Sequence, residues 1–423
     1  MKIAVIGAGW AGLAAAVTAT QAGHHATVFE ASRAIGGRAR ALFDSNDGAP
    51  LDNGQHIMIG AYAETLRLLR TVGVDLDQTL QRLPLSLLFP DGQGLQLPNL
   101  RAPFDALVGI LRARGWGWAD KAALLRTSVG WQIAGFQCRP EQSVADLCRS
   151  LTHRVKHELI EPLCVAALNT PADRSSGQVF LRVIQDSLFG APGGSNLLLP
   201  RVDLGALFPQ PAVQWLEQRG AAVLMGHRVQ SIRPQALQWW VDGQLFDQVL
   251  LACPSWEAAR LVGASGVPAD DWLALAQALQ FEAITTVYAR STAPQANWAQ
   301  PMLALRSDAQ NPAQFVFDRG QLGGPQGLLA FVASASHGDR QTLEQAVIAQ
   351  GRQQLGLADL QVLQTVVEKR ATFACTPGLQ RPAQHIAPGL QACADYVDGP
   401  YPATLEGAVR SGLAAVYALV PQT

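Results

Sequence analysis

Charged residues are scarce in this chain: Asp, Glu, Lys and Arg make up 15% of its 423 residues, while 48% are hydrophobic. An ordinary soluble domain is about 25% charged. Such a sequence has the apolar material for a large core and, beyond that, for an apolar cavity or an apolar surface. An excess of either charge sign is also missing. The formal net charge is −1, which leaves no electrostatic footprint for a nucleic-acid partner. No run reaches the roughly 18 consecutive apolar residues of a membrane-spanning helix, and the apolar start, broken by glycines, reads as a first strand rather than a signal peptide. The cysteines Cys138, Cys148, Cys164, Cys253, Cys375 and Cys393 form no CxxC pair. Reduced thiols in a cytoplasmic protein are the expectation, with core packing as their role. The histidines of His153-Arg154-Val155-Lys156-His157 lack the glutamate of an HExxH zinc site and read as a solvated helix face. The sequence has no P-loop and no nucleophile elbow, and no metal is expected.

What is present concentrates at the start. Residues 3–12 read IAVIGAGWAG. Ile3 to Ile6 make a short buried strand, and Gly7 permits a tight turn. Gly9 lets the backbone approach a pyrophosphate, and Gly12 lets the next helix pack closely on the sheet. Residues 13–20 are rich in Ala and Leu, as that helix needs, and the N–H groups at its start favour a bound diphosphate. A second strand, Ala26-Thr27-Val28-Phe29, ends at Glu30, 18 residues past Gly12. The acid that holds an adenosine ribose 2′-OH stands at an offset of about 20. Strand, glycines, helix, strand and acid in this order specify a dinucleotide site, and Glu30 disfavours the 2′-phosphate of NADP.

Gly36-Gly37-Arg38 follows closely. Two glycines permit a positive-φ loop, and a guanidinium there can clamp a diphosphate from the side opposite the helix. After Glu30 this spacing resembles the amine oxidase and phytoene desaturase superfamily of FAD enzymes, which makes FAD the expected cofactor. Farther along, periodicity predicts helices over 61–72, 144–151 and 343–355 and strands over 328–334 and 363–373. Glycine and proline clusters at 90–103, 190–200 and 320–327 mark loops or domain crossings. Residues 223–232 and 248–253 are strand-like and resemble the superfamily's central nucleotide-domain strands. Backbone of the first of these meets the adenine end, and Val229 is placed there.

Asp52-Asn53-Gly54-Gln55-His56 stands where family flavoenzymes carry an acid, a glycine and a polar residue beside the flavin ring. His56 reads either as a flavin hydrogen-bond partner or proton donor near pH 7, or as a loop histidine that supports its turn. At the other end, Asp395-Tyr396 precedes PATLEGA at 402–408. Asp395 can hold a ribityl hydroxyl or a phosphate-bound water. Thr404 is an N-cap for a last helix over 405–419, whose start aims N–H groups at the flavin pyrimidine edge.

Longer strings narrow the resemblance: DNGQHIMIGAYAETLRLLRTVGVD (52–75), EPLCVAALNTP (161–171), LLLPRVDLGALFP (197–209), ATFACTPGLQRP (371–382) and PATLEGAVRSG (402–412). They are similar to the squalene-associated FAD-dependent desaturase group, the hydroxysqualene dehydroxylases, in the same order and over nearly the whole chain. The resemblance implies an α/β architecture, with a Rossmann-like FAD-binding domain built from residues 1–95, 205–265 and 370–423. A substrate domain of helices and a sheet would come from 96–204, mostly helical, and 266–369. It implies cofactor contacts from Gly7, Gly9, Trp10, Ala11, Gly12, Glu30, Ala31, Gly36, Gly37, Arg38, Gly54, Gln55, His56, Val229, Asp395, Ala403, Thr404 and Leu405, with His56 as the catalytic nominee.

The reaction implied is reductive dehydroxylation of hydroxysqualene to squalene in squalene and hopanoid biosynthesis. Its partners would be the long-chain isoprenoid, an electron donor left open between a nicotinamide and a reductase, and the inner face of the cytoplasmic membrane. One departure stands out. Cys393-Ala394-Asp395-Tyr396 occupies the place of the group's Ala-Gly-Asp-Trp, and Ala394 is strained if that position takes a positive φ. Two further readings stay open: a carotenoid-type desaturase working oxidatively on a polyene precursor, and a flavin-binding assembly protein without turnover.

Overall fold

The computed structural model describes residues 1–42, 51–292 and 298–419. Its organising layer is a six-stranded sheet in the order Ala222–Met225, His25–Glu30, Lys2–Ile6, Gln248–Leu251, Leu390–Ala392, His385–Ala387. The first five strands are parallel to their neighbours and the last turns back antiparallel. A parallel sheet is covered on both faces, which explains why its strands run apolar without alternation. Ile3 and Val5 pack with the helices Trp10–Gln21, Pro209–Glu217 and Leu405–Tyr417. Ala4 and Ile6 share the other core with a meander of Ile232–Gln235, Gln238–Val241 and Gln244–Phe246. The architecture is α/β, as expected.

A second sheet is antiparallel, in the order Met302–Ala304, Phe315–Asp318, Leu328–Ser334, Phe281–Arg290, Gln361–Phe373. One face packs Val287, Val316, Leu329 and Phe331 against Val347 and Ile348 of helix Arg340–Leu355. The other face presents Phe315, Phe317 and Val332 to the cavity described below. Helices Phe104–Arg112, Trp118–Ile133, Glu161–Leu168 and Gly177–Leu188 fill the stretch between the first and second pieces of the parallel sheet. No described helix is long and apolar enough to cross a membrane. The six cysteines are free thiols, Cys138 half-buried and the rest buried.

Several sequence expectations shift. Residues 223–232 are not one strand. The strand stops at Met225, Gly226 turns with φ +68°, and the Asp242 carboxylate accepts from the amides of Gln230 at 3.1 Å and Ser231 at 2.9 Å. That carboxylate holds the connecting backbone irregular until Ile232 opens the meander. The helix expected over 144–151 ends at Leu147, because two caps stand close together: Ser143 caps it, and Thr152 caps the next helix by accepting from the Val155 amide at 3.3 Å. The expected loops at 90–103 and 190–200 contain the short strands Gly94–Gln96 and Leu197–Pro200. The last helix stops at Tyr417 rather than 419. Ala41–Leu42 pairs with Leu51–Asp52, and residues 43–50 between them lie outside the described residues.

Candidate functional site

A cavity of about 790 Å³ lies at the carboxyl ends of the parallel strands, where open α/β sheets bind ligands. Its wall includes Gly7, Gly9, Trp10 and Ala11 after the first strand, and Glu30 and Ala31 after the second. Gly36, Gly37, Arg38, Gly54, Gln55, His56, Val229, Asp395, Ala403, Thr404 and Leu405 complete it. The structure thus brings together every residue nominated from the sequence except Gly12. A Cβ on Gly12 would sit 1.9 Å from the Gly7 carbonyl oxygen and 2.9 Å from the Ala252 Cβ. Gly12 is not among the wall residues and serves close helix-to-sheet packing, the role its place in the glycine run predicts.

At one end the backbone itself forms a cradle. Gly7 takes φ +117°, and a Cβ there would meet the Ala252 oxygen at 2.5 Å, so only glycine makes the turn. The Gly36 amide donates to the Ala8 carbonyl at 2.9 Å, and Gly9 bridges to Gly36, which joins the two glycine loops. Gly36 and Gly37 take φ +99° and +62°, as the sequence predicts. A methyl on Gly9 would find its nearest neighbour only at 3.9 Å, so it would fill open cradle rather than protein. Helix Trp10–Gln21 starts at Gly9 without a side-chain cap, which leaves first-turn N–H groups for an anion. The Glu30 carboxylate is oriented by accepting from the amides of Ala8 at 2.7 Å and Ser32 at 2.8 Å. The Val229 carbonyl accepts from Arg260 at 2.8 Å.

The middle of the cavity carries the polar groups. Arg38 donates to the Asp395 carboxylate and to the Ala371 carbonyl, so the expected diphosphate clamp is also an ion-pair partner. The ring Nδ1 of His56 lies 3.0 Å from the Gly54 carbonyl oxygen. A carbonyl only accepts, so Nδ1 carries the proton. Burial, with Arg38 adding to it and the Gly54 carbonyl opposing, lowers the His56 pKa below the usual histidine value. Burial thus favours the neutral ring, with Nδ1 bearing the proton.

Behind this loop, the buried Arg319 donates to Gln55 Oε1 at 3.1 Å and lies 3.8 Å from the Asp52 carboxylate. Burial pushes the Asp52 carboxyl up to about 6, against the Leu204 amide and Arg319, which favour the charged form. Thr404 caps the last helix by accepting from the Gly407 amide at 2.9 Å. Ala394 does not take a positive φ; Ala403, in the cavity wall, does, at +57°. The condition for strain at Ala394 is thus not met, and Ala403 is the alanine of this wall held in the left-handed region.

Glu368 and Arg370 in the wall carry no local sequence signal. Glu368 accepts from the Asn53 amide nitrogen at 3.0 Å, and Arg370 lies over the Trp256 ring at 4.2 Å. Tyr396 is buried in the wall, with its hydroxyl unpartnered among the described residues. Apolar side chains line much of the remaining wall: Ile57, Val165, Ile284, Phe317, Val332 and Val366 come from a loop, a helix and the antiparallel sheet. Nothing in the spacing of these residues marks them, because they come from separate elements far apart in the sequence.

A glycine cradle, an uncapped helix start, an acid at the end of the second strand and an orphan buried hydroxyl together suit a dinucleotide cofactor, with an apolar ligand beside it. The sequence matches the model of flavin-containing amine oxidoreductases over residues 10–420. The hydroxysqualene dehydroxylase of Rhodopseudomonas palustris is 27% identical, over 96% of this chain and 96% of its own length. That of Sinorhizobium fredii is 26% identical, over 97% of this chain and 96% of its own. The solved structure of cyclohexylamine oxidase from Brevibacterium oxydans matches with a TM-score of 0.70 at 16% identity, covering 99% of this chain and 98% of that one.

Proposed function

This chain belongs to the family of flavin-containing amine oxidoreductases and is an FAD-dependent oxidoreductase, and from that premise we propose that it reductively dehydroxylates hydroxysqualene. Hydroxysqualene and reduced flavin give squalene, water and oxidised flavin, a step of squalene and hopanoid biosynthesis. The observation that carries this reading is the composition of the cavity, whose glycine cradle and apolar wall border one continuous space. Burying hydrocarbon there contributes about 25 cal/mol per Å², a gain suited to a long isoprenoid. The full-length similarity to two hydroxysqualene dehydroxylases supports the same substrate.

FAD, bound and reduced, supplies the two electrons. The chain supplies position, dryness and a proton. Gly7, Gly9, Trp10 and Ala11 would hold the diphosphate, Glu30 the adenosine ribose, and Val229 the adenine end. Arg38 would clamp the diphosphate from the side opposite the helix, Asp395 would hold a ribityl hydroxyl, and Ala403, Thr404 and Leu405 the pyrimidine edge. The leaving hydroxyl is allylic, so its departure leaves a delocalised cation, and the apolar wall keeps out water that would capture it. Departure as water takes one proton. His56 is the nominee: the Gly54 carbonyl fixes Nδ1–H, so Nε2 is the position that exchanges, and the ring donates from its minor charged form. An external donor, a nicotinamide or a reductase, restores the reduced cofactor. A substrate that partitions into lipid arrives from a membrane, so the reading includes peripheral contact with the inner face of the cytoplasmic membrane.

The test is an anaerobic incubation of the flavin-loaded protein with hydroxysqualene and a reductant, followed by extraction; squalene is the expected product. New double bonds in a phytoene-like polyene, formed by the oxidised protein, would favour a carotenoid-type desaturase instead. Bound flavin with neither substrate changed would favour the assembly-protein reading.

A further inference from the structure

Among the described residues, half of the large apolar side chains that stand well exposed fall between positions 100 and 133. On helix Phe104–Arg112, Phe104, Leu107 and Leu111 follow i, i+3, i+7 spacing, and they face away from the buried Gly109 and Ile110. On helix Trp118–Ile133, Trp118, Val129 and Ile133 fall on one face at about 100° per residue, while Leu124, Thr127 and Trp131 point into the core. Trp118 is 78% and Ile133 83% exposed. A surface helix ordinarily turns a polar face outward; both of these turn an apolar one. They form a single surface, because Lys121 Nζ donates to the Leu111 carbonyl at 2.9 Å and lies over the Trp118 ring.

Charge identifies the partner. Arg101, Arg112, Arg114 and Arg126 are exposed in the same stretch, and none is in an ion pair among the described residues. The two acids there are occupied: Asp105 is buried, and Asp120 accepts from the Gly117 amide and the Thr152 hydroxyl. By helical angle, Lys121 and Arg126 flank the Trp118 stripe on either side. An apolar stripe of Trp, Phe and Leu edged by cations outside any ion pair among the described residues suits an anionic lipid interface. A second copy of this chain is disfavoured, since it would set the same arginines against each other.

We propose that the paired helices Phe104–Arg112 and Trp118–Ile133 are the surface by which this protein sits on an anionic membrane. This deepens the lipid-substrate reading by naming its docking face, and its test needs no turnover, so the two ideas fail separately. The flavin-loaded protein is floated with vesicles of phosphatidylcholine alone and with added phosphatidylglycerol. Flotation with the anionic vesicles is expected, reduced by salt, with the Trp118 emission shifted to the blue. Trp118→Ser with Ile133→Ser should weaken partitioning at least about tenfold while bound flavin and thermal stability stay unchanged. Arg112→Gln with Arg126→Gln should lose the preference for anionic vesicles. The proposal is overturned if the protein floats with neither vesicle. It is also overturned if both variant pairs float like the parent, or if the serine substitutions instead dissolve a dimer seen by light scattering.

Discussion

The Arg38 guanidinium donates to the Asp395 carboxylate, so the glycine loop after the second strand and the loop after strand Leu390–Ala392 share one ion pair inside the cavity wall. Asp395 is 7% exposed and Arg38 38%. Arg38→Met leaves a buried carboxylate without its cation. A fully buried pair broken in this way costs about 3–5 kcal/mol; with Arg38 partly in water, about 2 kcal/mol is expected from urea unfolding of the flavin-free protein. Adding Asp395→Asn should recover part of that loss, while flavin retention through desalting stays poor in both variants. Full additivity of the two changes would refute the pairing.

Gly9 and Gly12 separate cofactor contact from packing. Gly9→Ala places its methyl in open cradle, so the flavin-free protein should unfold within about 1 kcal/mol of the parent but bind FAD far more weakly. Gly12→Ala drives a Cβ into the Gly7 carbonyl and should destabilise the protein with or without flavin. Calorimetry of both forms distinguishes them.

Tyr396 carries a buried hydroxyl with no partner among the described residues. Tyr396→Phe removes an unsatisfied group, so the flavin-free protein should gain up to about 1 kcal/mol. If the bound cofactor satisfies that hydroxyl, FAD affinity should fall in the same variant. A fluorescence titration that finds unchanged affinity would remove Tyr396 from the binding set.

Asp52 sets a pH dependence. Its carboxyl is raised from 3.8 to about 6 by burial. Within that window the folded chain holds a proton that the unfolded chain has lost, so stability falls as pH rises, by up to about 3 kcal/mol from this group. Asp52→Asn should flatten that slope in unfolding experiments on either side of the window. A slope unchanged by the substitution would mean that Asp52 titrates normally.

What was legible in the sequence was local. The strand, glycines, helix and acid from Lys2 to Glu30 are consecutive, and each has a backbone reason visible in its own residue type. Thr404 announced its helix in the same way. The misreadings came from punctuation and distance. Gly226 turns the chain inside an apolar run, and the helix from Val144 stops at Leu147, short of the periodic stretch that ran to Leu151. The strain at Ala403 leaves no trace in the sequence, because alanine ordinarily avoids that conformation. The apolar wall escaped notice because Phe315, Val316 and Phe317 are all apolar, although only the first and third face the cavity. Glu368 and Arg370 reach the site from a strand more than three hundred residues beyond the glycine loops.

The most direct measurement is anaerobic stopped-flow mixing of the photoreduced, flavin-loaded protein with hydroxysqualene. Flavin absorbance is followed, and the quenched mixture is extracted. Return of the oxidised spectrum with one squalene formed per flavin is the predicted result. A flavin that stays reduced in the presence of saturating hydroxysqualene, with no squalene in the extract, would contradict it.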